Sequence, residues 1–197
     1  ENAHLDFCNS TVCLKNITSK SRGIEVLSGE LVAHNTTFTN IEASKQGTKI
    51  EGNAILVSRG DNIVTIEDNL FKDCYINDQS SFAVTFDGKE LNFYRNTFDF
   101  SPYKGSGCLR IYTTGKVNVE NNVFQNANTP KDSRGIFIYE EKHRTTEEYH
   151  TIIKFNTFQY CTSLQTACFQ FKWISQDYFK AKKKDDDNSC IMISLTI

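Results

Sequence analysis

Apolar and polar residues alternate along much of the chain in short stretches: Leu31 and Ala33, Val64 and Ile66, Leu91 and Phe93, Val117 and Val119, and less cleanly Ile153. A period of two over so few residues predicts strands with one buried face, and nothing in these stretches has the 3.6 period of a helix. Each leads into a second motif, Asn-x-Phe: Asn69 to Phe71, Asn96 to Phe98, Asn122 to Phe124 and Asn156 to Phe158. A looser copy, Asn35 to Phe38, has Thr36 where the others have Asn. Three positions after each Phe stands a small or apolar residue, Ile41, Cys74, Ala127 and Cys161, with Ser101 the exception.

A third strand recurs between these units, at Ile24 to Val26, Ile55 to Val57, Phe82 to Phe86, Leu109 to Ile111, Ile136 to Ile138 and Phe169 to Phe171. With Val26, Val57, Val84, Ile111, Ile138 and Phe171 taken as equivalent, the intervals are 31, 27, 27, 27 and 33 residues. A unit of about 27 residues with three short strands cannot bury its own apolar face and must stack on its neighbours. Stacking at ~4.8 Å per strand makes the five Phe an internal column, prefaced by Leu14, and turns Asn69, Asn96, Asn122 and Asn156 into a corner ladder of side-chain amides.

On repeat length, three strands per unit, the Asn ladder and the stacked Phe, residues 20 to 175 resemble the right-handed parallel β-helix of the pectin-lyase-like superfamily. The resemblance implies an all-β fold of about six coils. It names residues 54–58 and their equivalents as the first sheet, 63–68 as the second and 70–74 as the third. Residues 1–20 read as a partial or capping coil, 21–175 as regular coils and 176–197 as a degraded last coil. Within the last, Asp177 to Phe179 imitates the corner motif, and the charge run 182–187 reads as a solvated turn.

Composition narrows the function classes. The chain has 197 residues, 22 Lys+Arg against 24 Asp+Glu and a net charge of -2, without the concentrated basic surface that nucleic acid requires. No apolar run approaches the ~18–20 residues of a membrane helix. The abundant residues are 15 Phe, 18 Asn and 19 Thr, which suit strands and turns. Glu1 in place of an initiator Met, and an end inside the strand-like run 191–197, read as an excised or processed segment. Of the seven Cys, Cys74 and Cys161 fit a small-residue core column, and Cys8 and Cys13 are the local pair that a disulfide would join. Sequons at Asn9, Asn16 and Asn35 fit glycosylation of a secreted chain.

In β-helices that this chain resembles, ligands lie along the outer face of the first sheet. Alternation predicts one outward column of Glu25, Leu56, Ala83, Arg110, Phe137 and Gln170, and another of Leu27, Ser58, Thr85, Tyr112, Tyr139 and Lys172. Tyr112 stacked on Tyr139, with Phe137, Arg110 and Lys172 beside them, would suit sugar rings, and the long loops 42–53 and 140–150 would wall the groove. Asp87 and Glu141, expected two coils or ~9.6 Å apart, are the candidate pair for an inverting hydrolase, which needs ~6.5–9.5 Å. For β-elimination Arg110 or Lys172 would be the base and calcium the cofactor, but no outward acids cluster to hold it. The hydrolase motifs Asn-Thr-Asp, Gly-His-Gly and Arg-Ile-Lys are missing, and Asp87 lies in a turn-prone Asp-Gly.

The expectation is therefore an extracellular or cell-surface β-helix without cofactor, binding a polysaccharide, a cell-surface glycan or a host or matrix protein. Surface proteins with such repeats resemble it in Gly-x-Ala-Ile, here Gly52 to Ile55, and in Phe-x-Asn, here Phe38 to Asn40 and Phe124 to Asn126. A polysaccharide lyase or glycoside hydrolase of the same fold is the alternative, and a structural spacer the third.

Overall fold

The computed structural model describes residues 3–13, 23–43, 54–76, 82–100, 107–129, 137–141, 151–163, 169–173 and 192–196. Every regular element among them is a strand, and every strand pair is parallel. Sixteen strands form one hydrogen-bonded sheet. No helix there is long and apolar enough to cross a membrane.

The chain visits three ladders in the same order on each pass. The first contains β3 (Ile24–Val26), β7 (Ile55–Val57), the start of β11 (Phe82–Tyr94), the start of β13 (Gly107–Glu120), β16 (Phe137–Glu141) and β19 (Phe169–Trp173). The second runs β1 (Ala3–Cys8), β4 (Gly29–His34), β8 (Ile63–Glu67), the ends of β11 and β13, then β17 (Thr151–Gln159) and β20 (Met192–Thr196). The third runs β2 (Thr11–Cys13), β5 (Thr37–Thr39), β9 (Leu70–Lys72), β12 (Thr97–Asp99), β14 (Val123–Gln125), the end of β17 and, across a register shift, the end of β20. Two short pairs complete the set: β6 (Glu42–Ala43) with β10 (Tyr75–Ile76), and β15 (Asn128–Thr129) with β18 (Thr162–Ser163).

The inward rows are those that alternation marks. Leu31, Val64, Leu91 and Val117 line one row and Ala33, Ile66, Phe93, Val119 and Ile153 the next, all buried. Phe38, Phe71, Phe98, Phe124 and Phe158 stack at 4.8, 4.7, 5.2 and 4.9 Å between ring centroids, with their planes nearly parallel. The column begins differently from expectation: Val12, not Leu14, is the register partner of Phe38, and Leu14 lies outside the described residues. Where Ser101 broke the pattern, Phe100 is buried one position earlier and meets Phe98 edge-on at 6.2 Å. Asp177 to Phe179, the charge run 182–187 and most of both long loops also lie outside the described residues.

Two corners turn on left-handed residues. Between the second and third ladders these are Asn9, Asn35, Asp68, Arg95, Asn121 and Phe155, with φ from 49° to 58°; after the third ladder they are Asn40, Asp73, Asn126 and Tyr160. Asn and Asp tolerate this region because their short side chains bond locally, which accounts for much of the chain's Asn. The Asn ladder follows directly. Asn96 Oδ1 accepts from the Asn69 backbone N–H (3.1 Å) and amide (3.0 Å), and Asn122 and Asn156 repeat the pattern one pass on. Each amide also donates to a backbone carbonyl of the second ladder: Asn69 to Ala33, Asn96 to Ile66, Asn122 to Phe93 and Asn156 to Val119.

The corner between the first and second ladders departs from three separate short strands. In β11 and β13 the chain runs through it unbroken, with a register shift between Gly88 and Glu90. Glycine permits this: a Cβ on Gly115 would stand 1.9 Å from the Lys89 carbonyl oxygen. Cys8 is an exposed free thiol, so no bridge joins it to Cys13. Cys74 and Cys161 sit in the small-residue column as expected, each thiol 3.3 and 3.1 Å from a third-ladder carbonyl, of Phe38 and Phe124.

Candidate functional site

The outer face of the first ladder has a different register from that expected. Val57 pairs with Phe86 rather than Val84, and Ile111 with Tyr139 rather than Ile138. The first shift moves two residues and keeps the pleat. The second moves one, which exchanges the faces. The rows are therefore Glu25, Leu56, Thr85, Arg110, Ile138 and Gln170, and then Asp87, Tyr112, Glu140 and Lys172.

These shifts correct several placements. Tyr139 is the register partner of Ile111 and Phe171, outside the row that holds Tyr112. Phe137 pairs with Leu109, is fully buried and lies 5.8 Å from Phe124, so it is a core residue rather than a surface aromatic. Glu141 pairs with Thr113, one position beyond the Asp87 row, so Asp87 and Glu141 do not face one another along a single row. Lys172 stands next to Glu140 at the edge of that row.

Arg110 is brought to Tyr112 and Phe82, and it is no exposed base. Its guanidinium carbon lies 4.3 Å from the Tyr112 ring centroid and 5.6 Å from that of Phe82, and the residue is only 7% exposed. A planar cation on an aromatic face gains from the ring quadrupole, most when water is excluded. Beside it Thr85 is 1% exposed and its hydroxyl has no hydrogen-bond partner. Ala83 and Cys108 are fully buried too, so this stretch is not an open groove floor. Asp87 and Tyr112, register partners, remain half-buried at its edge.

No group of three or more His, Cys, Asp or Glu among the described residues is arranged to hold a metal ion. His34 lies 3.9 Å from Asp6, and His143 and His150 lie outside the described residues. Asn9 and Asn35 are exposed at successive left-handed corner positions, with the Asn35 amide donating to Asn9 Oδ1; Asn16 lies outside the described residues.

Sequence reasoning passed over the second ladder's outer face, although its polar residues recur at the repeat interval. Lys116 Nζ lies 3.1 Å from Glu90, the Asn118 amide donates to Asn92 (2.9 Å), and the Tyr94 hydroxyl donates to Asn92 (3.1 Å). The Lys116 hydrogen bond holds the Glu90 carboxyl below its usual range, while burial pushes the Tyr94 phenol up. At the corner Arg95 grips Asp68 through two hydrogen bonds (2.7 and 2.8 Å) and Glu67 through a third (2.9 Å), which lowers the Asp68 carboxyl's pKa. Two exposed aromatics, Phe155 and Tyr160, occupy left-handed corner positions of the same pass.

No protein-family model, curated protein or solved structure matches the chain.

Proposed function

We propose that the chain is a right-handed parallel β-helix that serves as an extracellular or cell-surface recognition module, binding glycans or a host or matrix surface at the edge of its first ladder. The observation that carries this reading is the Arg110–Tyr112 stack. A half-exposed ring backed by a buried guanidinium is held rigidly, and a rigid aromatic with polar neighbours suits a sugar ring at small entropic cost. Tyr112→Ala removes the ring, and glycan-array binding should fall at least tenfold with the fold intact; unchanged binding sinks the reading.

One observation favours the hydrolase as second reading. The register puts Glu140, rather than Glu141, in the row of Asp87, with Tyr112 between them. Two strand spacings amount to ~9.6 Å, at the upper end of the inverting range. Release of new reducing ends from a polysaccharide panel, abolished in both Asp87→Asn and Glu140→Gln, would replace the binding module by this enzyme. Unsaturated products absorbing in the ultraviolet would instead indicate a lyase. Silence in the binding and activity assays together would leave the spacer.

A further inference from the structure

Phe155 and Tyr160 are bulky residues in the left-handed region, at φ 56° and 51°. On other passes these two corners are held by Asn or Asp, with the ion-paired Arg95 as the exception: Asn9, Asn35, Asp68, Arg95 and Asn121 at one, Asn40, Asp73 and Asn126 at the other. For a bulky side chain this backbone is an outlier, and strain kept where no packing requires it is a reason to look for function. Neither ring is buried: Phe155 is 56% exposed and Tyr160 86%. The two flank the third-ladder end of β17, five residues and at most ~16 Å apart.

Among the described residues the surface between them is polar and nearly uncharged. Thr157 and Gln159 on β17 face out beside Val123 and Gln125 on β14, with Asn126 at the corner. The nearby carboxylate, Asp99, already accepts from the Asn126 amide at 2.8 Å. Lys154 stands 5.7 Å over the Phe155 ring and is also bridged to Glu120 at 3.1 Å. Exposed aromatic faces at both ends of a strip of amides and hydroxyls match the C–H faces and hydroxyls of pyranose rings, and among the described residues the strip offers no cation array for an acidic polymer.

We infer that this rim is a second binding site, taking a short run of a neutral polysaccharide with one sugar ring on Phe155 and another on Tyr160. It shares the ligand class of the first-ladder reading but none of its residues. Strain and binding then make opposite demands on the same positions, which sets up the test. In Phe155→Asn and Tyr160→Asn the left-handed backbone is relieved, and each variant should melt higher, by roughly 2–4 °C.

Calorimetric titration with neutral hexasaccharides of glucose, mannose and xylose should show at least one that binds the native chain. Binding should weaken at least tenfold in each variant, while a polygalacturonate hexasaccharide gains nothing from the site. No binding to any neutral hexasaccharide overturns the inference, as does binding unchanged in both variants. If the native chain instead sediments as a dimer that Phe155→Asn dissolves, the rim joins two copies and the inference also falls. Tyr112→Ala separates the two sites: loss there with the rim variants unaffected supports the first-ladder reading alone.

Discussion

Single residues carry much of the stability, and the Asn ladder is the clearest case. Asn96 accepts two hydrogen bonds from Asn69 and donates to Ile66 and Asn122, all within a wholly buried corner. Asn96→Ala strands these partners where water cannot replace the amide, so it should cost about 2–4 kcal/mol in urea unfolding, more than one ordinary hydrogen bond. A loss under about 1 kcal/mol would mean that the corner hydrates freely. The pair at Arg95 behaves differently because it is about half exposed, and it contributes at most about 1 kcal/mol. Its sign is fixed: Asp68 has a folded pKa below its unfolded one, so its contribution is present above pH ~4 and disappears as pH falls through the folded value. The native chain should exceed Asp68→Asn in stability at pH 7, and the gap should narrow and then close as the pH falls below ~4 and through the folded value. A gap that persists in acid would assign the effect to something other than charge.

At the scale of strands, all three ladders were legible in the sequence, but the register of the first was not. Leu31, Val64, Leu91 and Val117, and the Phe column after them, announce themselves because the Asn-x-Phe motif fixes their phase. The first ladder has no such marker. Its strands are rich in apolar residues on both faces, as at Phe82 to Phe86 and Phe137 to Tyr139, so alternation alone leaves the phase open and a one-residue slip exchanges the faces. That slip moved Phe137 into the core and put Tyr139 outside the row of Tyr112, while Arg110 and Tyr112 stayed neighbours because both lie on one strand. The glycine corner was missed for a similar reason, since a residue without a side chain leaves no pattern. Gly115→Ala should cost at least about 2 kcal/mol, because the new methyl meets the fixed Lys89 backbone rather than a side chain that can turn away. Gly60→Ala is the milder comparison: its nearest neighbour would be the buried Asn62 amide at 3.3 Å, a side chain rather than fixed backbone, so it should cost clearly less than Gly115→Ala.

For the whole molecule, the question is whether the passes behave as a stack or as one indivisible domain. Asn69 and Asn96 are 27 residues apart and hydrogen-bonded, and Leu70 pairs with Thr97. Deleting residues 70–96 therefore joins Asn69 to Thr97 and removes one full pass. Phe98 then takes the place of Phe71 beneath Phe38, and Val64 and Ile66 meet Val117 and Val119, apolar on apolar. If each pass contacts only its neighbours, the shortened chain should keep its far-ultraviolet β signal and unfold cooperatively, with a urea m value lower by roughly one-seventh. Deleting only residues 70–83 removes half a pass and presents outer-face residues to the core, so that chain should not fold. Equal loss of structure in both deletions would contradict a β-helix, because in a single non-repeating core neither cut has a register to preserve.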